Sequence, residues 1–481
     1  MYRPIIQGGM GIYISTPFLA NLCSRAGALG TVSGTASERI LAHLLQLGDV
    51  GGHYRRALAH FPFPEVAERI LKKYFVEDGK PKDQAFKEVP MFSLRSRSDL
   101  IELAILASFA FVWLAKEGHD GPISVNYLEK IQIGHIYHLT GAMLAGVDFV
   151  TMGAGITLQI PDVLDAIARG ESPSYKVDVV GSTNGTEKIS FNPREFFGEK
   201  FPRELKRPGF LPIISTDALA NIMVMKVAMP KERIQAFVIE EPTAGGHNAP
   251  PRKKGIFDNK GQPVYGPKDV VDWKKMRELG IPFYVGGSYA SPEGLLRAQA
   301  LGAVGIQAGS IFALSEDSGM DPAYRLEMRR LGFRGALSIR TDPTASPTGF
   351  PFKIPQLIGT HSDPEVYKDR VRNCSRMALQ FPAQRADGRI VFRCPAEPVE
   401  EDYVRKGGKR EDTVGVRCLC NGLFAAAGIG DPLELPIFTM GDDVSFLPHL
   451  MQDENCSYRG REAIKYLLSQ RNAVDILPQE T

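Results

Sequence analysis

Apolar residues fall along this chain in short runs, many of them β-branched or aromatic, separated by stretches of helical periodicity. Three runs stand out between residues 236 and 314: Ala236-Phe237-Val238-Ile239, Pro282-Phe283-Tyr284-Val285 and Val304-Gly305-Ile306-Gln307. Runs that stay apolar at consecutive positions, instead of alternating, predict strands covered on both faces, as in parallel βα units. Five further runs precede them, at 5–7, 28–34, 122–128, 148–155 and 211–216. Helical segments at 17–25 and 217–227 sit between runs, and the count of strands closes at eight.

The spacing is uneven, which predicts additions to this α/β frame. Residues 36–118 carry three helical patterns, beginning at Ser37, Pro64 and Asp99, and predict a helical insertion after strand two that covers the ligand-binding end. Asp99 and Glu102 are placed as a capping box before the apolar stretch 103–115, which is shorter than the roughly 20 residues of a membrane helix and predicts a buried one. A polar stretch at about 172–207 predicts a second insertion, and 248–266 is a long Gly/Pro-rich loop. After about residue 332 the βα pattern ends, so the reading is a βα unit over 1–332 and an extension over 333–481. Its aromatic, proline-rich segment 342–352 predicts packing on the rest of the chain, not a linker.

The ends of the strand-like runs carry the candidate chemistry. Gly286-Gly287-Ser288 and Gly309-Ser310 follow strands seven and eight, and glycine there lets backbone N–H groups close on a phosphate. Gly8-Gly9-Met10-Gly11 after strand one allows flat approach to an aromatic ring with a polarizable sulfur beside it; a plain glycine turn is the alternative. Asn126, after strand three, both donates and accepts, though asparagine also favours turns. His247 follows Gly245-Gly246 after strand six; it is suited to proton transfer, or else bonded to loop backbone.

Glu-Pro-Thr-Ala-Gly-Gly-His at 241–247, Val-Gly-Gly at 285–287, Gly-Ile-Gln-Ala-Gly-Ser at 305–310 and the N-terminal Gly-Gly-Met-Gly resemble the nitronate monooxygenase (2-nitropropane dioxygenase) family. That resemblance implies a (β/α)8 TIM barrel that binds FMN, related to flavin-type enoyl-ACP reductases. It implies His247 as the catalytic residue, Gly9, Met10, Gly11, Asn126, Gly245 and Gly246 against the flavin, and Gly286, Gly287, Ser288, Gly309 and Ser310 on its phosphate, with Gln307 nearby. The implied reaction oxidises alkyl nitronates with O2 to a carbonyl compound and nitrite. An NAD(P)H-dependent flavin reductase acting on an enoyl thioester or quinone is the alternative, and a flavin- or cysteine-site protein without turnover the third.

Charge narrows the partners. With 57 basic and 55 acidic residues the net charge is +2, which offers no global field for nucleic acid or a membrane and favours a small-molecule substrate. Met1-Tyr2-Arg3-Pro4 runs directly into an apolar strand with no leader pattern, and six cysteines in this length make no disulfide framework; both predict a reduced, cytoplasmic protein. Cys374, Cys394, Cys418 and Cys420 lack the Cys-x2-Cys spacing of zinc knuckles and cluster motifs, so free thiols and no metal are expected.

Overall fold

The computed structural model describes residues 2–470. Eight parallel strands form a closed (β/α)8 barrel: Ile5–Gln7, Gly30–Ser33, Ile123–Leu128, Phe149–Gly153, Gly209–Ile214, Phe237–Glu240, Phe283–Gly286 and Gly305–Ala308. Each pairs with its sequence neighbour, strand eight pairs with strand one (Ile6 opposite Gln307), and the seam between strands one and two closes through a bridge from Ile6 to Leu29. All eight predicted runs are strands, with ends that agree to within two residues.

Strand six shows why the runs are continuously apolar. Phe237 and Ile239 point outward under the helices, while Ala236 and Val238 point inward into a separate buried cluster with Ile6, Leu29, Leu211 and Tyr284 that fills the barrel axis. Continuing that inward row by two residues places Glu240 at the barrel's C-terminal mouth.

The insertion after strand two is helical, with helices Ser37–Gln46, His53–Leu58, Pro64–Tyr74 and Ser98–Lys116. Helix Ser98–Lys116 is long and apolar enough to cross a membrane by length and composition, longer than the apolar stretch suggested, and 78% of that window is buried in the protein. The expected capping box does not form. Arg97 is the N-cap without a side-chain cap; Asp99 pairs with Lys73 (3.0 Å) and Arg97 (2.9 Å), and Glu102 with Arg69, because these cations from outside the first turn outcompete the backbone N–H groups. The second insertion is a hairpin of Ser174–Asp178 with Thr186–Ser190.

Beyond helix Pro322–Phe333 the chain returns over the barrel mouth. Asn248 N donates to Pro351 O, Lys353 N donates to Gly246 O, and Lys353 Nζ, almost fully buried, pairs with Asp442 at 2.7 Å. Segment 342–352 therefore packs on the barrel as its aromatic content predicts. Residues 471–481 of the extension lie outside the described residues.

Candidate functional site

At the C-terminal end of the strands a cavity of about 250 Å³ is lined by Gly9, Met10, Gly11, Asn126, Gly245, Gly246, His247, Gly286, Gly287, Ser288, Gln307, Gly309 and Ser310. Every residue singled out for the site in the sequence is brought together there. A larger cavity, about 550 Å³, lies over strands two and three on the far side of segment 343–349.

The loops after strands seven and eight offer donors. The main-chain N–H groups of Gly287, Ser288, Gly309 and Ser310 donate to no acceptor among the described residues, and the Ser310 hydroxyl, which accepts from Gly441 N at 3.0 Å, still has its proton to give. Gly287 has φ of 105°, and a Cβ there would lie 2.8 Å from Thr243 Oγ1, so this turn admits glycine alone. Helix Pro292–Ala300, with Ser291 capping Gly294 N, follows the first loop, and helix Ser310–Ala313 the second. Arg297 braces the first loop from behind by donating to Ser288 O at 2.9 Å.

Across the cavity, Asn126 Nδ2 donates to Gly9 O at 3.0 Å, while its Oδ1 is buried without a partner, as is Thr243 Oγ1. A Cβ on Gly9 would lie 2.2 Å from the Asn126 side chain, which accounts for glycine at that position. Buried polar atoms without partners are costly, and these two face the space a ligand would fill.

His247 contacts the edge of Phe352 and shares a 2.7 Å hydrogen bond between Nε2 and Ser346 Oγ, which in turn bonds Thr348 Oγ1 at 2.8 Å. Its Nδ1 has no partner among the described residues. Burial holds the imidazole neutral, with its pKa pushed down to about 4. Glu240 lines the same cavity without an ion-pair partner among the described residues, and desolvation pushes its carboxyl up to about 8. The sequence reading passed over Glu240; the signal for it was a carboxylate in phase with inward-facing Ala236 and Val238.

The mouth differs from the sequence expectation in its cover. Among the described residues nothing of the helical insertion lines this cavity; its wall comes from the extension, through Phe352, Leu423, Phe438, Thr439, Met440 and Gly441. The insertion instead lines the larger cavity, through Ala36, Arg39 and Phe92. Loop 248–266 lies away from the chamber, its beginning and end bordering a separate small pocket through Asn248, Arg252 and Tyr265. Gly245 answers to the extension as well, since a Cβ there would meet Gly441 N at 2.7 Å.

No protein-family model and no curated protein matches the sequence. Among solved structures, FabK from Thermotoga maritima is similar at 16% identity and a TM-score of 0.46, over 99% of this chain and 94% of that one. Nitroalkane oxidase from Streptomyces ansochromogenes is similar at 12% identity and 0.45, over 98% and 97%. The enoyl reductase domain of MlnA from Bacillus amyloliquefaciens is similar at 12% identity and 0.37, over 76% and 66%. These are likenesses between distant chains, and the barrel is read from its own strand order.

Proposed function

We propose that this protein is an FMN-dependent oxidoreductase that passes electrons from NAD(P)H to a neutral, carbonyl-conjugated acceptor of the enoyl thioester class. The cofactor reading is carried by the donor cradle: four unpartnered main-chain N–H groups and the Ser288 and Ser310 hydroxyls suit one terminal phosphate. Unpartnered Asn126 Oδ1 suits an N–H on the ring's pyrimidine edge, and Met10 its face. When bound, FMN supplies hydride transfer at its ring. The remaining work belongs to the chain. Phe352, Phe438 and Met440 exclude water, and His247, with Ser346 donating to Nε2, keeps Nδ1–H to donate to the acceptor's carbonyl oxygen as charge develops there.

The choice of acceptor rests on charge. No lysine or arginine lines the chamber among the described residues, and its two carboxyls are Glu240, which burial keeps protonated at neutral pH, and Asp443, so the walls offer an anionic substrate no side-chain counter-charge and favour a neutral one. Nitronate oxidation is the second reading, favoured by the small chamber and by the same Nδ1–H, which suits an anionic nitro group. Anaerobic stopped-flow reduction with NADH, NADPH and propionate 3-nitronate in parallel separates them. The first reading expects reduction by a pyridine nucleotide and rapid reoxidation by a 2-enoyl thioester; reduction by the nitronate alone supports the second, and no reduction by any of them removes both.

A further inference from the structure

Glu240 stands between two spaces. It continues the inward row of strand six to the barrel mouth and lines the chamber, and it is the one residue that also borders the small pocket outside, a cavity of about 150 Å³ walled by Ser215, Thr216, Asn248, Arg252 and Tyr265. Arg252 is exposed, so that outer pocket meets solvent. Asn248 Nδ2 donates to Ala244 O at 3.0 Å, while Asn248 Oδ1 is buried without a partner, and a buried acceptor beside a polar space of this size is met by water. Glu240 itself makes no side-chain hydrogen bond and no ion pair among the described residues. The other ionisable groups around the two spaces are committed. In the chamber Tyr289 OH donates to Glu241 Oε1 at 3.1 Å and Tyr127 OH to His138 O at 3.3 Å, Asp443 accepts from Ser445 N at 2.9 Å, and His247 is held by Ser346. Around the outer pocket Arg252 donates to Thr216 Oγ1 at 3.1 Å, Tyr265 donates to Ala249 O at 3.0 Å, and Asp269 accepts from Arg252 N at 2.8 Å.

Reduction of an enoyl thioester, the reading proposed above on which this inference rests, takes a hydride at the β-carbon and a proton at the α-carbon. His247 keeps its Nδ1 proton, since a neutral imidazole whose Nε2 already accepts from Ser346 is a hydrogen-bond donor and a very weak acid. Glu240 holds a proton at neutral pH because burial pushes its carboxyl up to about 8, and a general acid works best with a pKa close to the operating pH. The step balances on these groups. Hydride originating from NAD(P)H forms the new C–H bond at the β-carbon, the C=C electron pair passes to the α-carbon and carbonyl oxygen, the Glu240 O–H bond breaks, and its proton bonds to the α-carbon. The carboxylate left behind is poorly solvated on the chamber side and takes a proton back from water of the outer pocket.

We propose that Glu240 is the acid that protonates the α-carbon of the acceptor. The FMN-loaded protein and Glu240→Gln are compared by anaerobic stopped flow, with the flavin reduced by the pyridine nucleotide and reoxidised by a 2-enoyl thioester. The expected result is reduction at an unchanged rate, reoxidation slower in the variant by about 10²-fold or more, and a wild-type reoxidation rate that falls as the pH rises through about 8 while that of the variant stays flat. A second readout needs no flavin. The infrared spectrum of the flavin-free protein in D2O should carry a protonated-carboxyl C=O band that Glu240→Gln lacks and that fades as the pH rises through about 8. Reoxidation as fast in the variant as in the wild type, or the absence of that band, would overturn the assignment and leave the enoyl reading in place. A wild-type protein whose flavin no 2-enoyl thioester reoxidises would remove the enoyl reading, and this assignment with it.

Discussion

Glu240→Gln should make the protein more stable, and increasingly so as the pH rises. In the folded chain burial pushes this carboxyl from the ordinary 4.5 up to about 8, while the unfolded chain loses the proton near 4.5. Between those values the folded state binds more protons than the unfolded state, so stability falls as pH rises through that window and the loss is complete above about pH 8. At about 1.4 kcal/mol per pH unit, the difference between 4.5 and about 8 sets a ceiling of about 5 kcal/mol. The carboxyl opens on the cavity, where water reaches it, so about 2 to 5 kcal/mol is the expected cost at pH 8.5. Glutamine keeps the shape and removes the charge. Urea unfolding of both proteins at pH 5 and pH 8.5, with equal FMN saturation, should give curves that nearly coincide at pH 5 and separate by that amount at pH 8.5. Other titrating carboxyls, such as Glu434, cancel in the difference. A gap that does not change with pH would refute the reasoning and return Glu240 to an ordinary ionised state.

Three further outcomes follow from the site. His247→Ala should keep FMN and lose about 10²- to 10³-fold in turnover per bound flavin; because the imidazole titrates near 4, wild-type turnover should show no histidine-like inflection between pH 5.5 and 7.5, and such an inflection, or an unaffected variant, would remove it from the mechanism. Gly287→Asp should abolish flavin retention, through the positive φ and the Thr243 clash as well as a carboxylate against the phosphate; a yellow, FMN-saturated variant would contradict the cradle. Lys353→Ala leaves Thr341 and Asp442 unpartnered where the extension docks, and should cost about 1 to 3 kcal/mol in urea unfolding, with an unchanged midpoint as the contrary result.

The barrel was legible because its strands are apolar on both faces and most end in glycines, a pattern local to each run. The site residues were legible for the same reason: Gly287 and Ser288, Gly309 and Ser310, and His247 each sit at a strand's end, where barrel geometry brings them together. What escaped was non-local. Met440 and Gly441 reach the cavity across the whole chain, and their packing depends on Gly245 and on the Lys353 pair with Asp442, neither of which leaves a periodic trace. Asp99 and Glu102 matched a capping motif, yet tertiary cations claimed both side chains.

The central claim, that the strand-seven and strand-eight loops hold FMN, is tested most directly by what the purified protein releases. Denatured and analysed by chromatography, the yellow protein should yield about one FMN per chain and no FAD, since the cradle suits a single terminal phosphate. A colourless protein that also fails to bind added FMN by calorimetry, or one that releases FAD, would contradict it.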